Sequence, residues 1–454
     1  MKFIVINGSP KGELSLTMQY FRYFDKIYPE LTFEVINVAQ SIKKIENNKD
    51  KLNEIIEKIE NSDGLFWGFG VYHFTVPSQL KRFIELLFPH KNKFKNKYCS
   101  YLTTSIHFYD TMAAEYITAI SEDLGFNVIK GYLSNMHDLV KPKHKKMLNQ
   151  FMNRVVFNIE NKSVFTTRYP KIKKIKTRYI ASELTSNKNS TKKDIVLIYD
   201  NFNKNSNLKE MVKKFENTLS NKIETINLAE INIKGGCLGC IHCGYEGKCV
   251  YKDDLIDLHT KRLIKADAII IAGDIVDRYF SSRMKKFWDR SFLNGHRPML
   301  KKKQFLYIIS GDLKNNPILY QEIEARADVG EKNLVGVIND GDNSQKEIDN
   351  LINSYAKELI FNIEQATLTP KAFWGVSGHK IFRDFIYNSR GIFKEDHKYY
   401  TKNYHYDFPQ RKRVERYINI ALANALNIKK VRNKFNKEFK KIIIMPVKKD
   451  IDKL

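Results

Sequence analysis

An order of strands and helices that occurs twice along the chain is the feature that most constrains its fold. In the first half, predicted helices alternate with predicted strands at residues 2–6, 32–37, 64–69, 97–104 and 127–134. The order restarts near Lys193, and two segments of the first half, 61–68 and 79–83, correspond to 265–272 and 283–287. Strands that alternate with helices are typical of a parallel sheet covered on both faces. The predicted fold class is therefore α/β, with two tandem doubly wound parallel sheets of five strands each and a mainly helical C-terminal extension.

The length of 454 residues is enough for two or three domains. The predicted boundaries are a first α/β domain at 1–162, a linker at 163–192, a second α/β domain at 193–366 and an extension at 367–454. The linker is basic and has no clear periodicity. The extension is rich in aromatic residues and ends in a Lys-rich stretch. We interpret it as a helical cap that packs its aromatic residues on the second domain, with a substrate lid or a dimer surface as the alternative.

The charge of the chain is strongly positive, with 77 Lys and Arg residues against 51 Asp and Glu residues and a net charge of +26. Such an excess suggests a nucleic-acid partner. No recognised nucleic-acid-binding motif is present, however, and the basic runs are scattered over the linker and the tail. No apolar run approaches the roughly 20 residues that span a bilayer, and the first apolar stretch is too short for a signal peptide. We therefore expect a cytoplasmic protein without a membrane partner, and nucleic-acid binding remains as an alternative function.

Four of the five cysteines lie close together in the second half. Cys237, Cys240, Cys243 and Cys249 have the spacing C-x2-C-x2-C-x5-C, with several glycines between them. Two-residue gaps let consecutive thiolates wrap one small iron–sulfur cube, whereas a zinc site usually separates two ligand pairs by a longer loop. The spacing favours a [4Fe–4S] cluster, with zinc, a redox-active dithiol or inert reduced cysteines as alternatives. Cys99 lies in a predicted core strand and is expected to be a small buried side chain.

Two loops of the first half have the composition of a ligand site. The segment 7–17 follows a strand and opens a helix, and its glycines, hydroxyls and free amides suit a phosphate group. An ordinary turn with a capping serine is the alternative. The segment 70–81 follows the central strand, where ligands of open α/β sheets bind, and its aromatic residues could lie against a flat ring. Packing of Tyr72 and Phe74 under the loop is the simpler interpretation of that segment.

These segments resemble those of known flavoproteins. Through Gly8-Ser9-Pro10, Ser15-Leu16-Thr17 and the run from Val71 to Phe83, the first half resembles the NADPH-dependent FMN reductases and the flavodoxin-like superfamily. Through the cysteine run and the following segment Val250 to Leu255, the second half resembles the iron–sulfur flavoproteins of anaerobes. The resemblance covers roughly residues 1–365 and implies two flavodoxin-like domains.

The resemblance also implies which residues hold the cofactors. By position, FMN would be bound through its phosphate by Ser9, Lys11, Ser15, Leu16 and Thr17. Its ring would be flanked by Val71, Tyr72, His73 and Phe74 and covered by the loop that includes Ser105, Ile106 and His107. The cluster would be held by Cys237, Cys240, Cys243 and Cys249. Catalytic residues stay unassigned, and His73 and His107 are the candidates because they lie on the flavin-side loops.

The second half departs from this pattern. Its first loop, residues 200–207, lacks Gly-Ser-Pro, and acidic residues stand where the family has Pro-x-Tyr after the central strand. An acidic residue beside a phosphate or a flavin is unfavourable, so we expect no second FMN. The first half lacks a cysteine segment in turn. This complementary loss of motifs suggests an internal pseudo-dimer in which the cluster of the second half faces the FMN of the first.

The predicted function is that of a flavin-dependent oxidoreductase or electron-transfer protein with FMN and a [4Fe–4S] cluster. NAD(P)H is the expected reductant, and a small molecule or a ferredoxin-like protein is the expected electron partner. A homodimer is compatible with this interpretation. An NAD(P)H-dependent FMN or quinone reductase whose cysteines bind no metal is the alternative within the enzyme class.

Overall fold

The computed structural model describes residues 1–175, 177–182, 190–203, 206–220, 223–294 and 296–453. Four of the predicted features therefore lie partly outside the described residues: Lys176 of the basic run, 183–189 of the linker, 204–205 of the loop after the first strand of the second half, and Lys222 at the start of a predicted strand. The chain divides into two units, Met1–His397 and Lys398–Leu454. Both α/β halves belong to the first unit.

The first half contains one parallel sheet with the strand order 2-1-3-4-5 of a flavodoxin-like fold. Its strands are β1 (Lys2–Asn7), β2 (Thr32–Ile36), β3 (Gly64–Gly70), β4 (Tyr98–Ser105), β5 (Asn127–Val128) and β6 (Tyr132–Asn135). Strands β5 and β6 both pair with β4, so the single predicted fifth strand is divided into two short pieces. The division falls at Gly131, where a Cβ would collide with the backbone carbonyl of Tyr101.

The helices of the first half follow the predicted order, with one addition. They are α1 (Leu16–Ile27), α2 (Val38–Glu46), α3 (Lys49–Glu60), α4 (Ser78–Leu87), α5 (Asp110–Asp123) and α6 (Pro142–Glu160). Helix α2 was not predicted from the sequence, although Val38, Ile42 and Ile45 have the spacing of one helical face. Helix α6 starts with proline at its first position, which is favourable there because that residue needs no hydrogen-bond donor.

The second half repeats the sheet with the order β11-β10-β9-β7-β8, all strands parallel. Its strands are β7 (Ile195–Tyr199), β8 (Glu224–Asn227), β9 (Ala268–Asp274), β10 (Gln304–Ser310) and β11 (Asn333–Asn339). Its helices are α7 (Leu208–Thr218), α8 (His242–Glu246), α9 (Asp254–Asp257), α10 (Ser282–Arg290), α11 (Pro317–Val329) and α12 (Gln345–Gln365). The prediction of two tandem flavodoxin-like sheets is confirmed, whereas α8, α9 and α11 are helices that were not predicted from the sequence.

Helices α4 and α10 pack against each other and join the two halves by an approximate two-fold relation. The backbone N–H of Ser78 donates to Asp289 Oδ2 (2.7 Å), and the backbone N–H of Ser282 donates to Glu85 Oε1 (2.6 Å). Ser78 and Ser282 directly precede the matched segments 79–83 and 283–287. The same contact is therefore formed twice, once from the first half to the second and once from the second half to the first. Contacts of this kind are characteristic of a two-fold dimer interface. The two halves therefore form a pseudo-dimer within one chain, and their facing layers share one continuous apolar core.

Two buried lysines complete this interface. Lys81 pairs with Glu85 (2.8 Å) on its own helix and with Asp277 (2.8 Å) of the second half. Its counterpart Lys285 pairs with Asp289 and donates to the carbonyl oxygen of Tyr72 (2.9 Å) in the first half. The loop that contains Tyr72 is thus fixed in place from the second half.

The remaining helices are α13 (Phe373–Asn388), α14 (Lys394–Lys402), α15 (Arg413–Leu426) and α16 (Lys429–Ile451). Helix α13 packs on α11, and the N–H of Gly375 donates to Asp328 (2.6 Å). Helices α15 and α16 belong to the second unit and pack against each other. No helix in the described ranges combines the length and the apolar character that crossing a membrane requires.

Candidate functional site

The loop after β1 is a compact turn at the carboxyl end of the first sheet. The side-chain carbonyl of Asn7 accepts the N–H of Ser9 (3.0 Å), and its amide donates to Asn37 (2.6 Å). The N–H of Gly8 donates to the carbonyl of Gly68 (2.8 Å) on the neighbouring strand. A Cβ at Gly8 would collide with Leu80, so the loop approaches α4 at a distance that only glycine allows.

The predicted phosphate-binding residues are together in this loop. Ser15 caps α1 by accepting the N–H of Met18 (3.2 Å), and Ser9 Oγ accepts the N–H of Lys11 (3.3 Å). The N–H groups of Leu16 and Thr17 lie in the first turn of α1, where helix geometry provides them with no acceptor. A helix N-terminus with free amides and nearby hydroxyls suits an anion. The residues present therefore fit a phosphate group.

The loop after β3 forms a tight hairpin at Tyr72–Thr75. The N–H of Tyr72 donates to Thr75 O (2.9 Å), and the N–H of Thr75 donates to Tyr72 O (3.1 Å). The two central residues, His73 and Phe74, have φ values of 40° and 75°, in the left-handed region that side chains rarely adopt. Such strain persists only where the surroundings determine it, and here both side chains are held by neighbouring groups.

These two side chains pack on aromatic residues of other segments. The ring of Phe74 is buried against Phe108 and Tyr109, with centroids 5.4 and 4.8 Å away. The ring of His73 lies over Trp288 of the second half, 5.9 Å between centroids. Burial lowers the pKa of His73 well below its usual range, and the nearby cations, Arg326 among them, lower it further. His73 is therefore neutral, and within the described part of the chain its Nδ1 has no hydrogen-bond partner.

Tyr72 is the residue of this hairpin that reaches the cysteine segment. A Cβ at Gly239, between Cys237 and Cys240, would collide with the Tyr72 hydroxyl oxygen and lie 3.1 Å from Cε of Lys11. Three segments therefore meet at one point: the loop after β1, the loop after β3 and the cysteine segment. Burial raises the pKa of Tyr72 well above its usual range, and the adjacent cysteine thiols raise it further.

The four cysteines line one cavity. Left-handed backbone at Gly239, Ile241 and Gly247 turns the segment so that all four side chains line this cavity. Burial raises the pKa of the Cys237 thiol to about 12 and that of Cys243 to about 11, and the neighbouring thiols add to both. Among the residues that the structure describes, no group of three or more His, Cys, Asp or Glu is placed to hold a metal ion. The donor set has the chemistry of a cluster site, and the cluster itself remains a proposal.

The cysteine segment is anchored to the second half by Asp253. This carboxylate accepts two hydrogen bonds from Arg290 (2.9 and 3.1 Å) and one from the N–H of Lys234 (3.1 Å). Arg290 also donates to the carbonyl of Gly235 (2.9 Å), and its guanidinium lies 4.3 Å from the ring of Tyr251. Both charges of the Asp253–Arg290 pair are buried, which makes the anchor rigid.

The same segment also contacts the first half. The side-chain amide of Gln79 donates to the carbonyl of Cys237 (3.1 Å), and a Cβ at Gly236 would collide with Ser78. Lys43 donates to the carbonyl of Lys234 (3.3 Å). No individual role was predicted from the sequence for Gln79 or Arg290, and Gly239 was expected only to supply a turn of the cysteine segment. The one available signal was the correspondence between 79–83 and 283–287, which places Gln79 at the start of a matched helix.

The loop after β4 lies on the same edge of the sheet. The N–H of His107 donates to Ser105 Oγ (2.8 Å), and His107 Nδ1 bonds Asp110 (2.7 Å). That hydrogen bond raises the pKa of His107, whose side chain is about half exposed. Ile106 is half-buried, and Phe108 stacks on Phe382 with centroids 4.1 Å apart. Thr104 at the end of β4 bonds Thr17 of α1 (2.7 Å), which connects this loop to the phosphate-binding loop.

The equivalent edge of the second sheet is acidic. Asp200 accepts hydrogen bonds from Ser281 and Arg283, and Asp340 accepts from Ser310 (2.7 Å) and Asn207. Burial raises the pKa of Asp274 to about 6, and the carboxylates of Asp340 and Asp200 contribute. Carboxylates thus stand where the first half offers amides and hydroxyls, so this edge does not suit a phosphate.

Comparison with known proteins supports the relationship that these segments suggest. The model of the NADPH-dependent FMN reductase family matches residues 1–138 and 194–319. An iron–sulfur flavoprotein from Archaeoglobus fulgidus is 37% identical over 93 residues, which are 20% of this chain and 40% of that protein. The match therefore spans less than half the length of this relative.

Solved structures of flavin enzymes also match the chain. The apo form of an NADH:FMN oxidoreductase is 18% identical, with a TM-score of 0.31 over 35% of this chain and 89% of its own. The NAD(P)H:acceptor oxidoreductase FerB from Paracoccus denitrificans is 17% identical, with a TM-score of 0.30 over 35% of this chain and 97% of its own. The family model, in contrast, covers more than half of the chain in two separate segments. The chain therefore belongs to the NADPH-dependent FMN reductase family and carries the family domain twice.

Proposed function

We propose that the protein is a flavin-dependent NAD(P)H oxidoreductase that binds one FMN in its first half and one [4Fe–4S] cluster in its second half. The observation that carries the proposal is the meeting of Lys11, Tyr72 and Gly239, which brings the flavin-side loops of one half against the cysteine segment of the other. The family supports FMN, and the four cysteines that line one cavity support the cluster.

The residues of the first half would hold FMN through its phosphate and its ring. Ser9, Ser15, Leu16 and Thr17 would donate hydroxyl and amide hydrogens to the phosphate, and Lys11 would supply a positive charge. The ring would be bounded by Val71 and Tyr72 on one side and by Ser105, Ile106 and His107 on the other. His73 and Phe74 would fix the hairpin rather than contact the ring, because His73 packs on Trp288 and Phe74 packs on Tyr109.

Bound FMN supplies two-electron chemistry with NAD(P)H, and a bound cluster supplies one-electron transfer. The chain itself would position the Tyr72 hydroxyl and the His107 ring beside the flavin. Tyr72 stays protonated because burial raises its pKa, so its hydroxyl can donate a hydrogen bond but carries no charge. His107 holds a proton more firmly than a free histidine because Asp110 accepts from it, and its side chain is about half exposed.

One flavin per chain follows from the difference between the two halves. The second sheet presents Asp200, Asp274 and Asp340 at the edge where the first sheet presents the phosphate-binding loop. An electron donor or acceptor, whether a small molecule or a ferredoxin-like protein, completes the proposed reaction. Because the two halves already make a two-fold interface within the chain, the proposal needs no second subunit to bring flavin and cluster together.

Anaerobic purification with quantitation of flavin, iron and zinc tests the proposal. We expect about one flavin per chain and an iron-to-flavin ratio near four to one. Cys240→Ala should reduce the iron content and leave the flavin content unchanged. Cys99→Ala, which removes a buried thiol outside the segment, is the matched control and should retain both. Zinc without iron would refute the cluster, and two flavins per chain would refute the assignment of one site.

The alternative is a flavin reductase whose cysteines bind no metal. The observation that favours it is that no group of metal-binding side chains is preassembled in the described residues. The same quantitation distinguishes the two functions, because this alternative predicts one flavin, no iron and an absorption spectrum that contains only flavin bands.

A further inference from the structure

We propose that helices α15 and α16, which are basic and carry an exposed apolar run flanked by lysines, bind an anionic lipid bilayer without crossing it. This inference goes beyond the redox function, because neither cofactor site uses these helices. It also replaces the expectation from the sequence of no membrane partner, which rested on the lack of a spanning segment. They have 14 and 23 residues, and within these two helices, which the structure describes in full, no side chain is buried. Helices of this length gain most of their stability from packing of an apolar face. Their apolar residues therefore need a partner that covers them.

The apolar residues of α16 are concentrated rather than scattered. Val431, Phe435, Phe439 and Ile442 recur every three or four positions and share one face of the helix. The run 442–447 follows, in which Ile443, Ile444, Met445 and Val447 are all more than half exposed. In α15, Val414, Tyr417, Ile418 and Ile420 are likewise exposed. An exposed apolar surface of this extent marks an interaction site.

Basic residues accompany this apolar surface. Helix α16 contains nine Lys and Arg residues against two Asp and Glu residues. Lys430, Lys434, Lys437 and Lys441 lie on the face opposite Phe435 and Phe439 by helical spacing. Two lysine pairs, 440–441 and 448–449, flank the apolar run at both ends. The partner must therefore offer both apolar area and negative charge.

An anionic bilayer offers both. Its acyl boundary accepts aliphatic and aromatic side chains, and its phosphate headgroups attract lysines. A nucleic acid supplies the negative charge but no apolar surface for the run 442–447. A second copy of the chain supplies the apolar surface but brings the same excess of positive charge. With nine basic residues, α16 is suited to lie in the plane of the interface rather than to span the membrane.

The test is co-sedimentation of the full-length, flavin-loaded protein with vesicles. Vesicles of phosphatidylcholine are compared with vesicles of phosphatidylcholine and phosphatidylglycerol, each at low and high salt. We expect binding to the anionic vesicles, and a decrease of about tenfold or more on neutral vesicles or at high salt. Absence of binding to the anionic vesicles, or equal binding to both kinds, would overturn the proposal.

Two variants assign the binding to this surface. Ile443→Asp with Ile444→Asp removes apolar contacts, and Lys440→Glu with Lys441→Glu reverses charge. Both should abolish binding to anionic vesicles while the helical content and the bound flavin are retained. The matched control is Lys145→Glu with Lys146→Glu, an exposed lysine pair on α6, which should bind as the unchanged protein does.

Sedimentation velocity and RNA binding complete the test. If the unchanged protein is a dimer that does not bind vesicles, and Ile443→Asp with Ile444→Asp converts it to a monomer, the apolar run of α16 joins two copies of the chain. The lipid proposal is then wrong. If RNA binds at high salt and vesicles do not, the partner is a nucleic acid. A monomer that binds anionic vesicles, and loses that binding in both variants, supports the proposal.

Discussion

The hydroxyl oxygen of Tyr72 occupies the space that a side chain at Gly239 would need. Gly239 also has a φ of +64°, so a larger residue there would meet both a collision and backbone strain. The two residues belong to different halves of the chain. Their contact places the cysteine segment against the loop that follows β3, and it depends on the absence of a single Cβ atom.

Gly239→Ala should therefore destabilise the protein. We expect the free energy of unfolding in urea to fall by about 2–3 kcal/mol, since overpacking and a left-handed alanine both contribute. The loss should be smaller in a Tyr72→Phe background, because that change removes the oxygen that the new Cβ meets. The control is Gly391→Ala, where a Cβ would contact none of the described heavy atoms within 4 Å. Equal losses in both backgrounds would contradict the contact.

Asp289→Asn should be more harmful than the equivalent change Glu85→Gln. Lys285 and Asp289 are completely buried, and the substitution leaves the Lys285 charge with only the carbonyl of Tyr72. Removal of one partner of a buried pair costs about 3–5 kcal/mol. Lys81, in contrast, keeps Asp277 when Glu85 is changed. Urea unfolding of the two variants measures the difference, and an equal or larger cost for Glu85→Gln would show that the two sides of the interface are energetically alike.

The fold was predictable because the alternation of strands and helices repeats over most of the chain. Each central strand is a continuous apolar run, as a sheet buried on both faces requires. The division of the predicted fifth strand was missed because it depends on tertiary context, the close approach of Gly131 to Tyr101. Helix α2 left a signal that was overlooked, because Val38, Ile42 and Ile45 have helical spacing.

Part of the candidate site was also predictable, because closely spaced residues of one chemical type leave a signal in the sequence. The cysteine spacing indicated one shared site, and the four side chains do line one cavity. The contacts of Gln79 and Tyr72 with that segment could not be predicted, because they depend on how the two halves pair. The loop of His73 and Phe74 was identified, but its left-handed turn and the packing of the two side chains on Trp288 and Tyr109 were not. Composition alone does not reveal such a turn.

Lys11→Ala should weaken the binding of FMN. Lys11 belongs to the proposed phosphate-binding loop, and a charge-assisted hydrogen bond from its ammonium contributes enough for a decrease in affinity of about tenfold on its removal. Titration of flavin-free protein with FMN, followed by flavin fluorescence, measures the dissociation constant. Lys26→Ala, an exposed lysine in the last turn of α1, is the matched control and should leave the affinity unchanged. Equal affinities of the two variants would remove Lys11 from the site.

Asp253→Asn should release the cysteine segment without affecting the flavin. The substitution replaces a carboxylate that holds both Arg290 and the N–H of Lys234, and it leaves the buried Arg290 charge poorly paired. We expect iron per chain to fall while flavin per chain is retained, as determined by quantitation after anaerobic purification. Asp257→Asn changes an exposed carboxylate on the same helix and should keep both. Loss of flavin together with iron would indicate general unfolding instead.

His259 should make the stability of the protein sensitive to mild acid. Its ring is buried against Phe287 and bonds the carbonyl of that residue (3.0 Å), and burial lowers its pKa from 6.5 to about 4. In the unfolded chain the ring takes up a proton near pH 6.5, so between about pH 6.5 and 4 the unfolded state binds more protons than the folded state. Stability contributed by this group is therefore complete above pH 6.5 and is lost as the pH falls. The loss amounts to about 3 kcal/mol in total.

Unfolding in urea at a series of pH values, compared with His259→Gln, isolates this effect, because glutamine keeps a donor but does not titrate. Parallel pH dependences of the two proteins would show that His259 is not the source.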